Sequence, residues 1–379
     1  MGLGHLRRNL ALAHHLATHL PQVSGKDISG LLVCGLIPGD DVVLPQGFDW
    51  LYLPSIKKEE GVYVPRHLNA SFGELSHLRS GLLSAALSDF DPDLVIIDRH
   101  ILGVGGELLN PLRAVRKNNP AARIVLGLRE VLDHPEQAQK EWAALGPVKE
   151  LRTLIDEIWI YGDPKIHNPL STGEIPANFR DLCVFTGYLS RGRHCDDHPL
   201  PAELPYILTT VGGGQDGALL LHAALGITPP HGMEHIIVTG PQMSDSTVQH
   251  LASRLPARTQ LIRSLPGMPK AIGHAQAVIA MAGYNTTCEI LASRTPALLV
   301  PRETPRQEQL IRATALAHHN AVDMLRASDV SVAALDNWVH TVSGMRDERS
   351  SVQLDGLKEV LRRALNLVEH TSTTIQKEI

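Results

Sequence analysis

The sequence predicts an α/β protein of doubly wound type, and three observations predict it. Short, uninterrupted apolar runs alternate with longer amphipathic stretches along nearly the whole chain. Strands that read as continuous apolar runs belong to parallel sheets covered by helices on both faces. Glycine-rich turns follow several of these runs and lead into helices, as they do in dinucleotide-type βα units. The chain is also long enough: 379 residues, 43% hydrophobic and 20% charged, can fill two cores of ordinary domain size.

The elements follow in order. In the first half, strand-like runs fall at Leu31–Cys34, Leu94–Ile97, Ile124–Leu126, Ile158–Tyr161 and Leu182–Phe185. Helical periodicity lies around them at Leu6–Leu20, Phe72–Leu87, Gly106–Arg116 and Gln139–Ile155. The second half repeats the pattern with strands at Tyr206–Val211, Ile236–Val238, Gln260–Ile262, Ala277–Ala280 and Ala297–Val300. Its helices are expected at Ala218–Leu225, Asn285–Leu291 and Gln307–His318. Between the halves, Ser190–Pro205 has no apolar period and is rich in Pro and charge, the composition of a linker. The expected division is therefore a Rossmann-like first domain at 1–189, a linker at 190–205 and a second Rossmann-like domain at 206–379. A ligand cleft is expected between them, with relative motion of the halves about the linker. A last helix, Gln353–Leu367, can pack on either half, and His370–Ile379 reads as a polar, frayed tail. One feature departs from the pattern. A first domain of this type opens with a strand, yet Met1–Arg8 already reads as the loop after it, so either the opening strand is absent or something else fills its slot.

Composition narrows the function. Thirty-five Lys and Arg against 40 Asp and Glu give a net charge of -5, which disfavours nucleic acid as a partner. No apolar run reaches the roughly 18–20 residues of a membrane span, although peripheral contact with lipid stays open. Four Cys without a CxxC pair point away from a disulfide framework and toward a reducing, cytoplasmic setting. The group His194, Cys195, Asp196, Asp197 and His198 fits no common zinc spacing, so no metal and no cofactor is expected.

Four constellations carry chemistry. Gly2 and Gly4 flank Leu3 just before a helix, with His5, Arg7 and Arg8 after them. Such a turn lets a ligand approach the backbone, and His5 at the helix start could take a proton from a hydroxyl or a water; the same residues also make a plain helix cap. Gly212, Gly213 and Gly214, followed by Gln215, stand directly after a strand and before a helix, where their N–H groups could cradle phosphate. The run lacks the Lys-Ser/Thr of a P-loop and the spacing of a dinucleotide fingerprint. Gly283, Asn285 and Thr286 open another helix after a strand, with Glu289 one turn on, placed for a ribose diol or simply for the helix dipole. Glu308 and Gln309 start a helix beyond the strand at Ala297–Val300 and could bind sugar hydroxyls or only solvate its end. Asp98, Arg99, Glu130 and Asp133 follow strands of the first half and should open toward the same cleft.

Assembled, these residues resemble the GT-B glycosyltransferases, above all the branch with the bacterial N-acetylglucosaminyltransferase that makes lipid II. The resemblance covers most of the chain. It is strongest from Tyr206 to Ala313, where GGGQDG, AGYNTTCEILASRTPALLVP and RQEQLIRA stand in that order. It implies two Rossmann-like domains. It further implies that Gly213, Gly214 and Gln215 meet the donor diphosphate, with help from Asn285 and Thr286. Glu289 would hold the ribose and Glu308 and Gln309 the sugar, while backbone near Arg263 would read the base, uracil in that branch. The GLGHLRR loop departs from this branch and resembles the GxGHxxR loop of the UDP-sugar hydrolase of pseudaminic acid synthesis, and also a group of predicted glycosyltransferases. His5 would then be the base, with Gly4, Arg8, Asp98, Arg99, Glu130 and Asp133 on the acceptor side.

The expected function is inverting, metal-independent transfer from a nucleotide-diphosphate sugar, most simply a UDP-sugar, to a hydroxyl or amine of a soluble acceptor. Nucleotide-sugar hydrolysis is the alternative among enzymes, with 2-epimerisation behind it. A non-catalytic nucleotide-sugar-binding subunit is the alternative of another class.

Overall fold

The computed structural model describes residues 3–37, 39, 42–59, 62–195 and 197–375, with the backbone alone from residue 370. Gly2 of the opening loop, Asp196 of the linker group and the end of the polar tail lie outside the described residues.

Helix α1 (Leu3–Ser24) begins three residues earlier than its periodicity suggests, so Gly4 and His5 sit in its first turn. Strand β1 (Gly30–Cys34) pairs in parallel with β2 (Phe48–Tyr52). An antiparallel hairpin follows, β3 (Ile56–Glu59) with β4 (Val62–Pro65). Helix α2 (Phe72–Phe90) opens with a capping box, in which Ser71 accepts from the Glu74 N–H while the Glu74 carboxylate accepts from the Ser71 N–H. Then come β5 (Leu94–Asp98), α3 (Leu109–Asn118), β6 (Arg123–Arg129), α4 (Pro135–Ala143), α5 (Val148–Arg152), β7 (Glu157–Tyr161) and β8 (Cys183–Phe185). The single helix expected over Gln139–Ile155 is in fact two. Gly146 has φ +102° and Pro147 follows, and neither residue continues a helix. Strands β5 to β8 form one parallel sheet in sequence order. Among the described residues no strand joins it to the β1–β2 pair.

The second half holds β9 (Tyr206–Thr210), α6 (Ala218–Ala224), β10 (Glu234–Val238), α7 (Asp245–Ala252), β11 (Thr259–Ile262), α8 (Met268–His274), β12 (Ala277–Ala280), α9 (Tyr284–Ala292), β13 (Ala297–Leu299), α10 (Glu308–His318), β14 (Asp323–Met324) and α11 (Val332–Val342). The strands form one parallel sheet in the order β11-β10-β9-β12-β13-β14. Every residue of β9 and β12 is buried. The chain leaves β9 toward one edge and later returns to β12 on its other side. That reversal opens a crevice at the C-terminal ends of β9 and β12, where open α/β sheets bind ligands.

The chain crosses between the halves twice, and the two crossings touch. The Tyr188 N–H donates to the Gln353 carbonyl at 2.8 Å and the Gly356 N–H to the Tyr188 carbonyl at 3.0 Å. A Cβ on Gly356 would collide with the Gly187 carbonyl oxygen. After the second crossing, α12 (Gly356–Ile375) packs on α1, and its Arg363 pairs with Glu157, so the last helix covers the first half. Residues 190–205 carry almost no regular structure, yet they are held to the second half. Ser190 Oγ donates to the Cys288 carbonyl at 2.6 Å, and Lys270 Nζ donates to Asp197 and to the His198 carbonyl.

Candidate active site

Two turns of the second half build the floor of the crevice. Gly212 and Gly214 have φ of +66° and +95°, a backbone that L side chains rarely adopt. Gly214 also lies against the turn after β10, where a Cβ would collide with the Thr239 carbonyl oxygen. Glycine is therefore demanded by chain packing at 214, quite apart from any ligand. Gly213 and Gln215 are not so enclosed; Gly213 is exposed, and the turn it belongs to opens into the crevice. Across the crevice, α9 starts at Gly283 with no side-chain cap, so its first N–H groups are left without that partner. Gly212, Thr286 and Arg263 line one small cavity, together with Arg7 of α1 and Thr210. Three of the residues expected at the phosphates and the base thus stand around one space.

Next to it lies a cavity of about 190 Å³. Glu289, the Leu265–Pro269 turn, linker residues Arg193 to Cys195 and α1 residues including Arg7 and His14 line it. The Glu289 carboxylate is buried, and its Oε2 has no hydrogen-bond partner among the described residues. A buried acceptor left open in this way suits a donor hydroxyl. The rings of His14 and His194 stack in parallel at 4.1 Å, closing the wall between α1 and the linker.

The first half brings His5 to the same place. Asp98, at the end of β5, has a buried carboxylate; the His5 Nδ1 stands 2.9 Å from its Oδ2, and Arg8 Nη2 donates to both its oxygens at 2.5 and 2.7 Å. Asn9 adds a further contact at 3.1 Å. Burial alone would raise the Asp98 pKa, but the Arg8 charge and the His5 contact hold it well below the ordinary carboxylate range. An ionised Asp98 fixes the proton of His5 on Nδ1 and leaves the lone pair on Nε2. Burial lowers the pKa of His5 below its ordinary value, and the opposing pull of Asp98 does not make up for it. The ring is therefore neutral near pH 7. Gly4, one residue before, accepts from Asn285 Nδ2 at 2.8 Å, which ties the start of α1 to the start of α9.

The remaining expected residues are already engaged. Asn285 is occupied on both sides, since its Oδ1 accepts from Arg193 at 3.1 Å. Glu308 pairs with Arg129 at 2.6 Å and lies 3.9 Å from Arg302; burial would raise its pKa, yet these and Arg312 hold it at about 2. Gln309 Oε1 accepts from the Arg302 N–H. Arg99, at φ +72°, pairs with Glu141 at 2.8 Å. Two acceptor-side expectations need correction. Glu130 is fully enclosed and holds Arg312 of α10 at 2.7 Å, and Asp133 accepts from the Gln307 N–H at 2.9 Å. Both carboxylates join the two halves instead of opening to the cleft. Sequence reasoning misses Arg312, whose partner Glu130 lies 182 residues away along the chain. It also misses Arg193, hidden in a stretch that reads only as linker.

Comparison with known proteins agrees with this architecture. Residues 207–356 match the glycosyltransferase family 28 C-terminal domain. One relative is the UDP-N-acetylglucosamine--N-acetylmuramyl-(pentapeptide) pyrophosphoryl-undecaprenol N-acetylglucosamine transferase of Carboxydothermus hydrogenoformans, 27% identical over 168 residues. That match spans 41% of this chain and 45% of the enzyme's length. An uncharacterized glycosyltransferase of Methanosarcina mazei is 22% identical over 81% of this chain and 79% of its own. Among solved structures, the calicheamicin glycosyltransferase CalG4 superposes with a TM-score of 0.58 at 16% identity, covering all of this chain and 96% of that one. The chain thus has the GT-B glycosyltransferase fold, matches the family 28 C-terminal domain over residues 207–356, and resembles the N-acetylglucosamine transferase of Carboxydothermus hydrogenoformans.

Proposed function

We propose that the chain is an inverting, metal-independent glycosyltransferase that moves a sugar from a UDP-sugar to a hydroxyl or amine of an acceptor in the cytoplasm. The observation that carries this reading is the imidazole of His5, oriented by Asp98 and tied through Gly4 to the uncapped start of α9. A neutral base then stands beside the place where a leaving diphosphate would gain charge. His5 Nε2 takes the acceptor proton as its oxygen or nitrogen attacks the anomeric carbon, and the bond to the diphosphate breaks on the opposite face. The first N–H groups of α9 and those of Gly213 and Gly214 receive the developing charge, the task a cation would otherwise perform. Glu289 receives the ribose hydroxyls, and Glu308 and Gln309 face the sugar.

The same base could activate water, so the test separates transfer from hydrolysis. The chain is incubated with UDP-N-acetylglucosamine and UDP-glucose, with and without a panel of soluble glycan and hydroxylated acceptors. Release of UDP that depends on acceptor, together with a new glycoside, is the expected result. Free sugar released at the same rate without acceptor would assign hydrolysis. Binding with no turnover under any condition would assign a binding subunit.

A further inference from the structure

The linker brings a cation to the centre of the candidate donor site. Arg193 belongs to neither sheet, but its side chain is only 8% exposed. Its Nε donates to the Leu189 carbonyl and its Nη2 to Asn285 Oδ1 at 3.1 Å, so the guanidinium is fixed in plane. Its Nη1 lies 3.9 Å from Glu289 Oε1, beyond hydrogen-bond reach, and has no acceptor among the described residues. A guanidinium carries five N–H donors, and at least the two on Nη1 remain to be used. The group also stands between two landmarks. On one side is Asn285 at the start of α9, and on the other is Glu289, whose Oε2 is open. The linker cannot drift away, because Ser190 and the Asp197–His198 pair anchor it on both sides of Arg193.

We propose that Arg193 is a phosphate-binding residue of the donor site, which makes the linker a wall of that site as well as a connection. The proposal rests on the donor reading above. Nη1 donates to the diphosphate where it joins the ribose, while Glu289 keeps its open oxygen for a ribose hydroxyl. The cation also offsets the repulsion between Glu289 and the donor's negative charge.

A role as a mere strut predicts something different, and the number of phosphates on the probe distinguishes the two. Uridine and UDP are titrated by NMR and calorimetry against the wild type, Arg193→Ala, Arg193→Lys and Glu289→Ala. Arg193→Ala should weaken UDP by about 10- to 100-fold, the worth of a charge-assisted hydrogen bond, and leave uridine unchanged. Arg193→Lys should recover part of the UDP affinity. Glu289→Ala should weaken uridine and UDP alike. Equal losses for uridine and UDP in Arg193→Ala would make Arg193 a strut, and no loss for either would remove it from the site; both overturn the proposal. Should Arg193→Ala fail to melt cooperatively, the ratio of UDP to uridine affinity in Arg193→Lys decides, and an unchanged ratio overturns it. Should the wild type bind neither UDP nor GDP, ADP, CDP or dTDP, the donor reading itself falls. If Glu289→Ala loses UDP while the Arg193 variants do not, only the present proposal falls.

Discussion

A base at His5 follows from two opposing influences on one imidazole. Burial penalises the charged ring, the ionised Asp98 rewards it, and burial wins, so the pKa lies below the ordinary value. In a base mechanism the active form is the neutral one, and the sign is then fixed: turnover should stay level from about pH 8 down through about 6.5, the unperturbed value, and fall only at lower pH. His5→Ala should lose about 10²–10⁴ in turnover while binding UDP as the wild type does. Near wild-type turnover in the variant, or an acid limb centred above about pH 6.5, the ordinary histidine value, would move the proton transfer elsewhere. At this scale the sequence is informative where the backbone makes a demand. Gly212, Gly214 and the loop before His5 stand out because glycine is expensive without a reason. The partners of charged groups do not stand out. Asp98 meets Arg8 across 90 residues and Glu308 meets Arg129 far along the chain, and nothing local to either residue marks the pairing.

Strands buried on both faces are legible in a sequence because nothing polar interrupts them. This explains why β6, β7, β9, β10, β12 and β13 can be located from the residues alone, and why β2, β3 and β4 cannot. Strand β2 carries Asp49, and the β3–β4 hairpin carries Lys57, Lys58 and Glu59 on exposed backbone. Helices α7, α8 and α11 escape the sequence for a related reason, since two of them span only 8 and 7 residues and so show little periodicity. One buried strand nevertheless hides a polar side chain. His235 in β10 is fully buried, its Nε2 lies 2.8 Å from Thr209 Oγ1, and burial holds its pKa at about 4. The unfolded chain therefore takes up a proton near pH 6.5 that the folded chain refuses. Stability should be full above about pH 6.5 and decline toward about pH 4, with His235 contributing on the order of 3 kcal/mol to that decline. His235→Val should flatten the fall of the unfolding midpoint over this range. A midpoint equally sensitive to acid in the variant would show that other groups govern it.

Besides the linker, charge buried between the two halves joins them. Arg312 of α10 and Glu130 after β6 are both fully enclosed, 2.7 Å apart, and Arg312 reaches the Ala282 carbonyl as well. The guanidinium carbons of Arg312 and Arg8 stand 5.5 and 5.6 Å from the ring centroid of Tyr284, so one aromatic side chain meets a cation from each half. Arg306 adds contacts to Asp133 and Glu141. These contacts join the described halves in addition to the linker. Desolvating a buried pair is expensive, so its presence does not by itself prove a gain in stability, but breaking it leaves one charge stranded. Arg312→Ala should therefore lower the free energy of unfolding by about 3–5 kcal/mol, because Glu130 is left enclosed without a partner. Replacing both residues, as Glu130→Leu with Arg312→Met, fills the same volume without charge and should bring stability back to within about 1–2 kcal/mol of the wild type. Denaturant unfolding of the wild type, both single variants and the double variant measures the coupling directly. If the pair serves the closure of the halves and not their stability alone, the restored double variant should scatter X-rays as a more extended particle than the wild type. A small loss in Arg312→Ala, or a double variant no better than the single one, would mean that the halves are held by the surrounding apolar contacts and that the ion pair is incidental to the closed arrangement.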